Sequence, residues 1–215
     1  MQLFMKVTLS LIEGLGNTLK IFGLTLLMAL PLGLIISFGS MSKHKVIKYP
    51  IRTLIWVIRG TPLMLQLIIF GLGPGLLGVQ GMNLFLAVMI AFVLNYSCYF
   101  AEIFRGGIEG IPVGQYEAGA VLGLTKSQIF FKIILMQVIK RIIPPMSNEL
   151  LTLVKDTSLA NTIMVYEITW NAKRMMNSEH ILWPLFYSGL FYLAFCGILT
   201  LIFGYIEKKI SYYQV

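Results

Sequence analysis

The chain has 215 residues, of which 57% are hydrophobic and only 12% charged, with a formal net charge of +8. Its mean hydropathy is +0.81, and a soluble domain would carry roughly a quarter charged residues. These values exclude a soluble fold around one core and define an integral membrane protein. The two cysteines, Cys98 and Cys196, lie in apolar runs without metal or redox spacing and read as small core residues.

The first twenty residues, MQLFMKVTLSLIEGLGNTLK, hold Glu13 within their apolar stretch, so they read as an uncleaved amphipathic lead-in and not as a signal peptide. A bilayer core takes about 20 apolar residues as helix, and the first such run is 21–41. The segment that follows carries Lys43, Lys45, Lys48 and Arg52. A second span, 53–72, is interrupted by Arg59 and Pro62; Gly60, Thr61 and Pro62 predict a kink or hinge, because proline removes a donor and crowds the preceding turn. Gln66 lies on the same face about one turn deeper. The connection 73–83 has no charge, and a third span covers 84–101, where Asn95 and Tyr99 share a face at i, i+4. Glu102 and Arg105 at its inner end are spaced to pair.

The segment 102–141 is too long for a turn and too polar to span. Read as a helix, Ala118, Gly119 and Leu122 give a face that another protein can approach closely, Glu117 falls in the first turn, where a carboxylate complements the helix dipole, and Gly123 provides the exit. The competing reading is an amphipathic loop resting on lipid headgroups. A fourth span, 142–168, must carry Glu149, Lys155, Asp156 and Glu167, with Pro144 and Pro145 in its first turn. Ionisable groups inside a span face a cavity or one another. Lys155 and Asp156 would point about 100° apart on a helix, whereas Thr157, Ser158 and Asn161 would share a face fit for an ammonium or a carboxylate, or for interhelical hydrogen bonds. Glu167, about three turns beyond Asp156, would sit near the external mouth, drawing in a cationic substrate or reaching for water. The last span is 181–206.

Basic residues gather in the segments after the first and third spans and at Lys208 and Lys209, which places those segments in the cytoplasm and the N-terminus outside. Orientation and contact with anionic lipids account for the positive charge without nucleic acid. His44 and His180 fall in loops on opposite sides, so no metal site is expected.

Residues 117–123, EAGAVLG, followed ten residues later by Ile133-Ile134-Leu135, resemble the "EAA" coupling loop of ABC-importer permeases. Arg59-Gly60-Thr61-Pro62-Leu63 with Gln66 is similar to the RGTPLxxQ signature of the polar amino-acid (histidine/glutamine/arginine permease-like) family. Ala101 to Ile108 with Ile111-Pro112 and Gly114-Gln115 resembles its AEIxRGGI…IPxGQ run, and Asn148-Glu149 and Lys155-Asp156-Thr157-Ser158-Leu159 its GNE and KDTSL elements. The resemblance runs from about Gly14 to Lys209. Departures are Gly119 for the family's alanine, Met136 for a proline, Ser147 and Met164 for glycines, and Asn161 and Thr162 for smaller or apolar residues.

This resemblance implies an all-α permease of the type I ABC-importer fold with five transmembrane helices and a cytoplasmic coupling loop over about 106–132. It implies a second permease copy or paralogue, a pair of ATPase subunits that bind ATP and Mg, and an extracytoplasmic amino-acid-binding protein. Glu117 to Gly123 would dock on the ATPase, and Gln66, Asn95, Tyr99, Lys155, Asp156, Thr157, Ser158, Asn161 and Glu167 would be candidates for the substrate path. The chain has no G-x-x-x-x-G-K-[ST] phosphate loop, so ATP chemistry falls to a partner and the subunit is not itself an enzyme. Two other classes fit a polar membrane protein. An ion-coupled secondary transporter predicts inverted repeats, which the sequence lacks, and an oligomeric channel needs a filter, for which only 71–78, GLGPGLLG, is available. Neither explains EAGAVLG.

Overall fold

In lipid every backbone polar group needs an internal partner, which leaves helices as the natural choice for apolar runs of this length. The computed structural model describes residues 1–78 and 80–210, and every regular element among them is helical. Helix α1, Gln2–Ser40, joins the predicted lead-in to the first span in one continuous rod. Its buried residues recur every three or four positions and are mostly small: Gly14, Thr18, Thr25, Ala29, Gly33, Ser37 and Ser40. They let the backbone approach closely; a Cβ on Gly33 would stand 2.8 Å from the Phe100 Cβ.

Phe100 belongs to α4, Leu84–Glu109, the central helix, against which α1, α2 (Lys45–Gly60), α3 (Leu63–Leu76) and α7 (Leu135–Asp156) all pack. Its Phe92, Tyr96 and Phe100 are at most 2% exposed. Asn83 caps it, accepting from the Phe85 and Leu86 amides. Helices α2 and α3 replace the predicted second span: the chain breaks at Thr61 and Pro62, both extended, and the two axes differ by 97°.

At its C-terminal end α4 runs past Ala101, so Glu102 and Arg105 are helical and pair at 2.6 Å; Arg105 also reaches Glu109 at 2.6 Å. Helix α5, Val113–Val121, follows Pro112. It closes in a Schellman motif: Gly123 takes φ +73°, its amide donates to Ala120 O, and the Leu124 amide donates to Gly119 O. A capping box between Thr125 and Gln128 starts α6, Lys126–Ile129, which passes through a π-turn at Phe130–Ile134 into α7. With methionine at 136 nothing breaks this helix, and Pro144 and Pro145 lie in its interior and not in its first turn.

The predicted fourth span is not one α-helix. α7 ends at Asp156, a 3-10 segment occupies Thr157–Ile163, Met164 is left-handed (φ 61°), and α8, Ile168–Glu179, begins after a short extended stretch. The 157–163 hydroxyl and amide side chains compete for backbone groups there, which favours a tighter turn over an α-helix. Helix α9, Trp183–Ile210, packs on α7 and α8 and buries only Pro184 and Ser188. Helices α1, α4 and α9 are long and apolar enough to cross a membrane, and the bent α2–α3 pair meets the same test jointly. The protein is therefore a multi-pass membrane protein.

Candidate functional site: a cavity at a broken helix

A cavity of about 450 Å³ opens where the α2–α3 break faces α4 and α7. Gly60, Thr61 and Pro62 form one wall; Asn95, Tyr96 and Tyr99 of α4 form a second; Glu149, Thr152 and Asp156 of α7, with Leu159, form the third. Proline at 62 sets the first wall, because the α-helix cannot continue through it with Thr61 at ψ 142°. The third wall follows from helical spacing, since positions 149, 152 and 156 stack on one face.

Polar groups on these walls are unevenly satisfied. The Tyr96 hydroxyl donates to Asp156 Oδ2 at 2.8 Å, leaving the second carboxylate oxygen open. Glu149 accepts no hydrogen bond among the described residues. The Asn95 amide nitrogen donates to Gln66 Oε1 at 3.1 Å, so its carbonyl oxygen remains available to the cavity. Among the described residues Arg59 is the single cation on the lining; its guanidinium lies 4.9 Å over the Tyr99 ring and 3.6 Å from Glu102. Two carboxylates and one guanidinium give an acidic chamber with a basic edge. Carboxylates out of bulk water favour a cationic partner, so the chamber suits an ammonium group, with Arg59 placed for a carboxylate.

Of the residues singled out from sequence, Gly60, Thr61, Pro62, Asn95, Tyr99 and Asp156 come together here. Gln66 is close by but 5% exposed, with its amide directed at backbone. Lys155 points away and lines a second cavity of about 330 Å³ with Ser158, Thr169, Ser188 and Tyr192. Thr157 donates to Val154 O at 2.6 Å, Ser158 to Lys155 O at 2.7 Å, and Asn161 to Ser158 O; they share no chamber-facing side because the segment is not α-helical. Asn161 Oδ1 also accepts from Lys173 Nζ at 2.9 Å. Glu167 does not reach for water: it is fully buried and caps α8, accepting from the Thr169 and Trp170 amides at 2.7 Å and from the Tyr192 hydroxyl at 2.8 Å.

Sequence reasoning missed Tyr96 and Glu149 as lining residues. The i, i+3, i+7 spacing of Glu149, Thr152 and Asp156 is a readable signal; Tyr96 has none, because it lies off the face that Asn95 and Tyr99 share.

The α5 segment stands apart from this cavity. Glu117 is in its second turn, not the first, because the helix starts at Val113. Glu117 and Ala118 are exposed, and Leu122 and Val121 are 76% and 88% exposed. Gly119 is buried: a Cβ there would lie 2.7 Å from Ile129 Cγ1. The close approach of Ile129 of α6 leaves little room for a side chain at this position. Among the described residues no group of three His, Cys, Asp or Glu side chains gathers in a way that would hold a metal.

The fold is that of a transport permease, and the chain belongs to the binding-protein-dependent transport system inner membrane components, matched over residues 29–212. It is 35% identical over 203 residues to the L-cystine transport system permease protein TcyB of Bacillus subtilis (strain 168), covering 93% of this chain and 86% of that protein. It is 36% identical over 211 residues to the arginine transport system permease protein ArtQ of the same organism, covering 94% and 92%. Among solved structures, an amino acid ABC transporter crystallised with histidines superposes with a TM-score of 0.88 at 30% identity over 96% of both chains. The MetNI methionine ABC transporter in an inward-facing form shares the fold, with a TM-score of 0.67 at 14% identity over 95% of both chains.

Proposed function

We propose that this chain is the permease subunit of an ATP-driven importer for polar amino acids, and that the chamber between the α2–α3 break, α4 and α7 is its substrate compartment. The observation that carries this reading is the set of open acceptors, Glu149, one Asp156 oxygen and the Asn95 carbonyl, opposite Arg59. An α-amino acid presents an ammonium and a carboxylate of matching polarity. Membership in a binding-protein-dependent family and the names of the relatives support amino acids as the cargo class.

In this reading α1, the α2–α3 pair, α4, α7 with its 3-10 extension, and α9 make five crossings, with the N-terminus outside and the C-terminus in the cytoplasm. A chain of this size encloses no path alone, so a second copy or a paralogue completes it. ATP and Mg bind a separate pair of ATPase subunits, whose closure reaches the chamber through α5. The exposed row Glu117, Ala118, Val121 and Leu122 meets the ATPase, while Gly119 against Ile129 and the Gly123 turn tie α5 to the continuous α6–α7 rod. That rod carries Glu149 and Asp156, so a push on α5 arrives at the chamber wall. Loaded binding protein docks on the outer face, ATP closes the ATPases, and the resulting motion of α5 moves the opening of the compartment from one side to the other.

The test is copurification of the ATPase subunits with the wild-type chain and with Glu117→Lys, and measurement of hydrolysis with amino acid and binding protein added. Retention and stimulation of the wild type, both lost in the variant, are expected. Transport by the wild type without any ATPase would overturn the reading.

A further inference from the structure

The break between α2 and α3 is held by side chains, and Gln66 is the centre of that arrangement. A helix that stops at Gly60 leaves its last carbonyls without amide partners, and Pro62 offers no donor to meet them. Thr61 supplies part of the need: its hydroxyl lies 3.0 Å from Val57 O and 3.3 Å from Ile58 O. Gln66, one turn into α3, supplies the rest. Its amide nitrogen lies 2.9 Å from Ile58 O, 2.9 Å from Thr61 Oγ1 and 3.3 Å from Thr61 O. Its amide oxygen accepts from Asn95 Nδ2, and both residues are at most 5% exposed. The amide nitrogen of Gln66 is thus committed to the α2 end and its oxygen to α4, in a buried position.

We infer that Gln66 is a positioning residue, a clasp that sets the angle between α2 and α3 and so shapes the chamber wall at Gly60–Pro62, and that Asn95 joins the clasp to the chamber. Asn95 gives its amide nitrogen to Gln66 and shows its other end to the compartment, so occupancy of the chamber and the angle of the break are read by one side chain. The inference rests on the chamber being the substrate compartment, while the clasp itself is a matter of helix geometry. A bare Gly-Thr-Pro break would be a free joint; with the clasp it becomes a joint with a preferred angle that a ligand on Asn95 biases.

Spin labels at exposed positions of the two arms test it, with Leu54→Cys and Leu72→Cys introduced into the complete transporter in lipid nanodiscs after Cys98 and Cys196 are replaced by alanine. In the parent a narrow distance distribution is expected. Gln66→Met keeps length but not hydrogen bonding, and should broaden or shift that distribution and lower maximal uptake by about tenfold with half-saturation changed less than about threefold. Gln66→Glu, which cannot donate to the carbonyls, should behave alike. If Gln66→Met does not assemble, Thr61→Val carries the same expectation for the distance distribution. An unchanged distribution in the variants overturns the clasp, as does a raised half-saturation with unchanged maximal rate, the signature of a direct substrate contact. Failure of the unsubstituted transporter to take up amino acids would refute the importer reading instead, and the label distances would still decide the clasp.

Discussion

The chamber is bordered by two interruptions of helix, and they are built in opposite ways. At Gly60–Pro62 the backbone is broken by a proline, and the orphaned carbonyls are met in part by the Thr61 hydroxyl and in part from a distance, by Gln66 five to eight residues on. At Thr157–Ile163 there is neither glycine nor proline; the chain tightens into a 3-10 turn in which Thr157, Ser158 and Asn161 each bond a carbonyl three residues back. The first interruption needs a tertiary partner and is therefore coupled to α4. The second supplies its own carbonyl donors, with Lys173 of α8 joining only at Asn161 Oδ1. Polar residues at both serve the backbone first, and the open chemistry of the chamber is left to Glu149, Asp156 and Asn95 on regular helix between them.

If the second interruption is set mainly by its own side chains, it and the Met164–Glu167 link to α8 should govern stability and leave the choice of substrate alone. Glu167→Ala removes the acceptor for two α8 amides and for Tyr192 in a fully buried position. It should cost about 2 kcal/mol, the upper range for loss of an N-cap, read as a lower thermal midpoint of the purified transporter with the order of preferred amino acids unchanged. Thr157→Val deprives Val154 O of a buried hydroxyl donor and should cost about 1 kcal/mol in the same assay. The smallest effect has the opposite sign. Met164 sits at φ 61°, where a Cβ is strained, so Met164→Gly should stabilise by about 0.5 kcal/mol after the extra chain entropy of glycine is set against the relief. A change in substrate preference from any of the three would break the contrast between the two interruptions.

The same contrast explains what the sequence made legible. Three long apolar helices announce themselves because nothing but lipid or protein interior suits such runs, and Gly-Thr-Pro announces the first break because proline acts on its own helix. The second break is silent in the sequence: threonine, serine and asparagine tolerate an α-helix, and their preference for bonding the backbone shows only in the fold. Assuming α-helix through 142–168 placed Thr157, Ser158 and Asn161 on a common face and left Glu167 open to water, whereas the 3-10 turn separates the first three and Glu167 is buried as the cap of α8. The hinge residues, Asn95, Tyr99 and Asp156 were found because each lies on regular helix or at the proline. Lys155 illustrates the limit: a hundred degrees from Asp156 separates two cavities, and only packing decides which is the chamber. At Gly119 the residue type was readable but its cause, the closeness of Ile129, was not.

The most direct test of the central claim is uptake of radiolabelled polar amino acids by proteoliposomes containing the complete transporter, with the wild-type chain beside Glu149→Gln/Asp156→Asn. Loss of charged partners from a desolvated site costs about 2–5 kcal/mol, so uptake at limiting substrate should fall by about a hundredfold, with the ATPase still bound. Uptake unchanged in the double variant would contradict the account and remove the chamber as the substrate compartment.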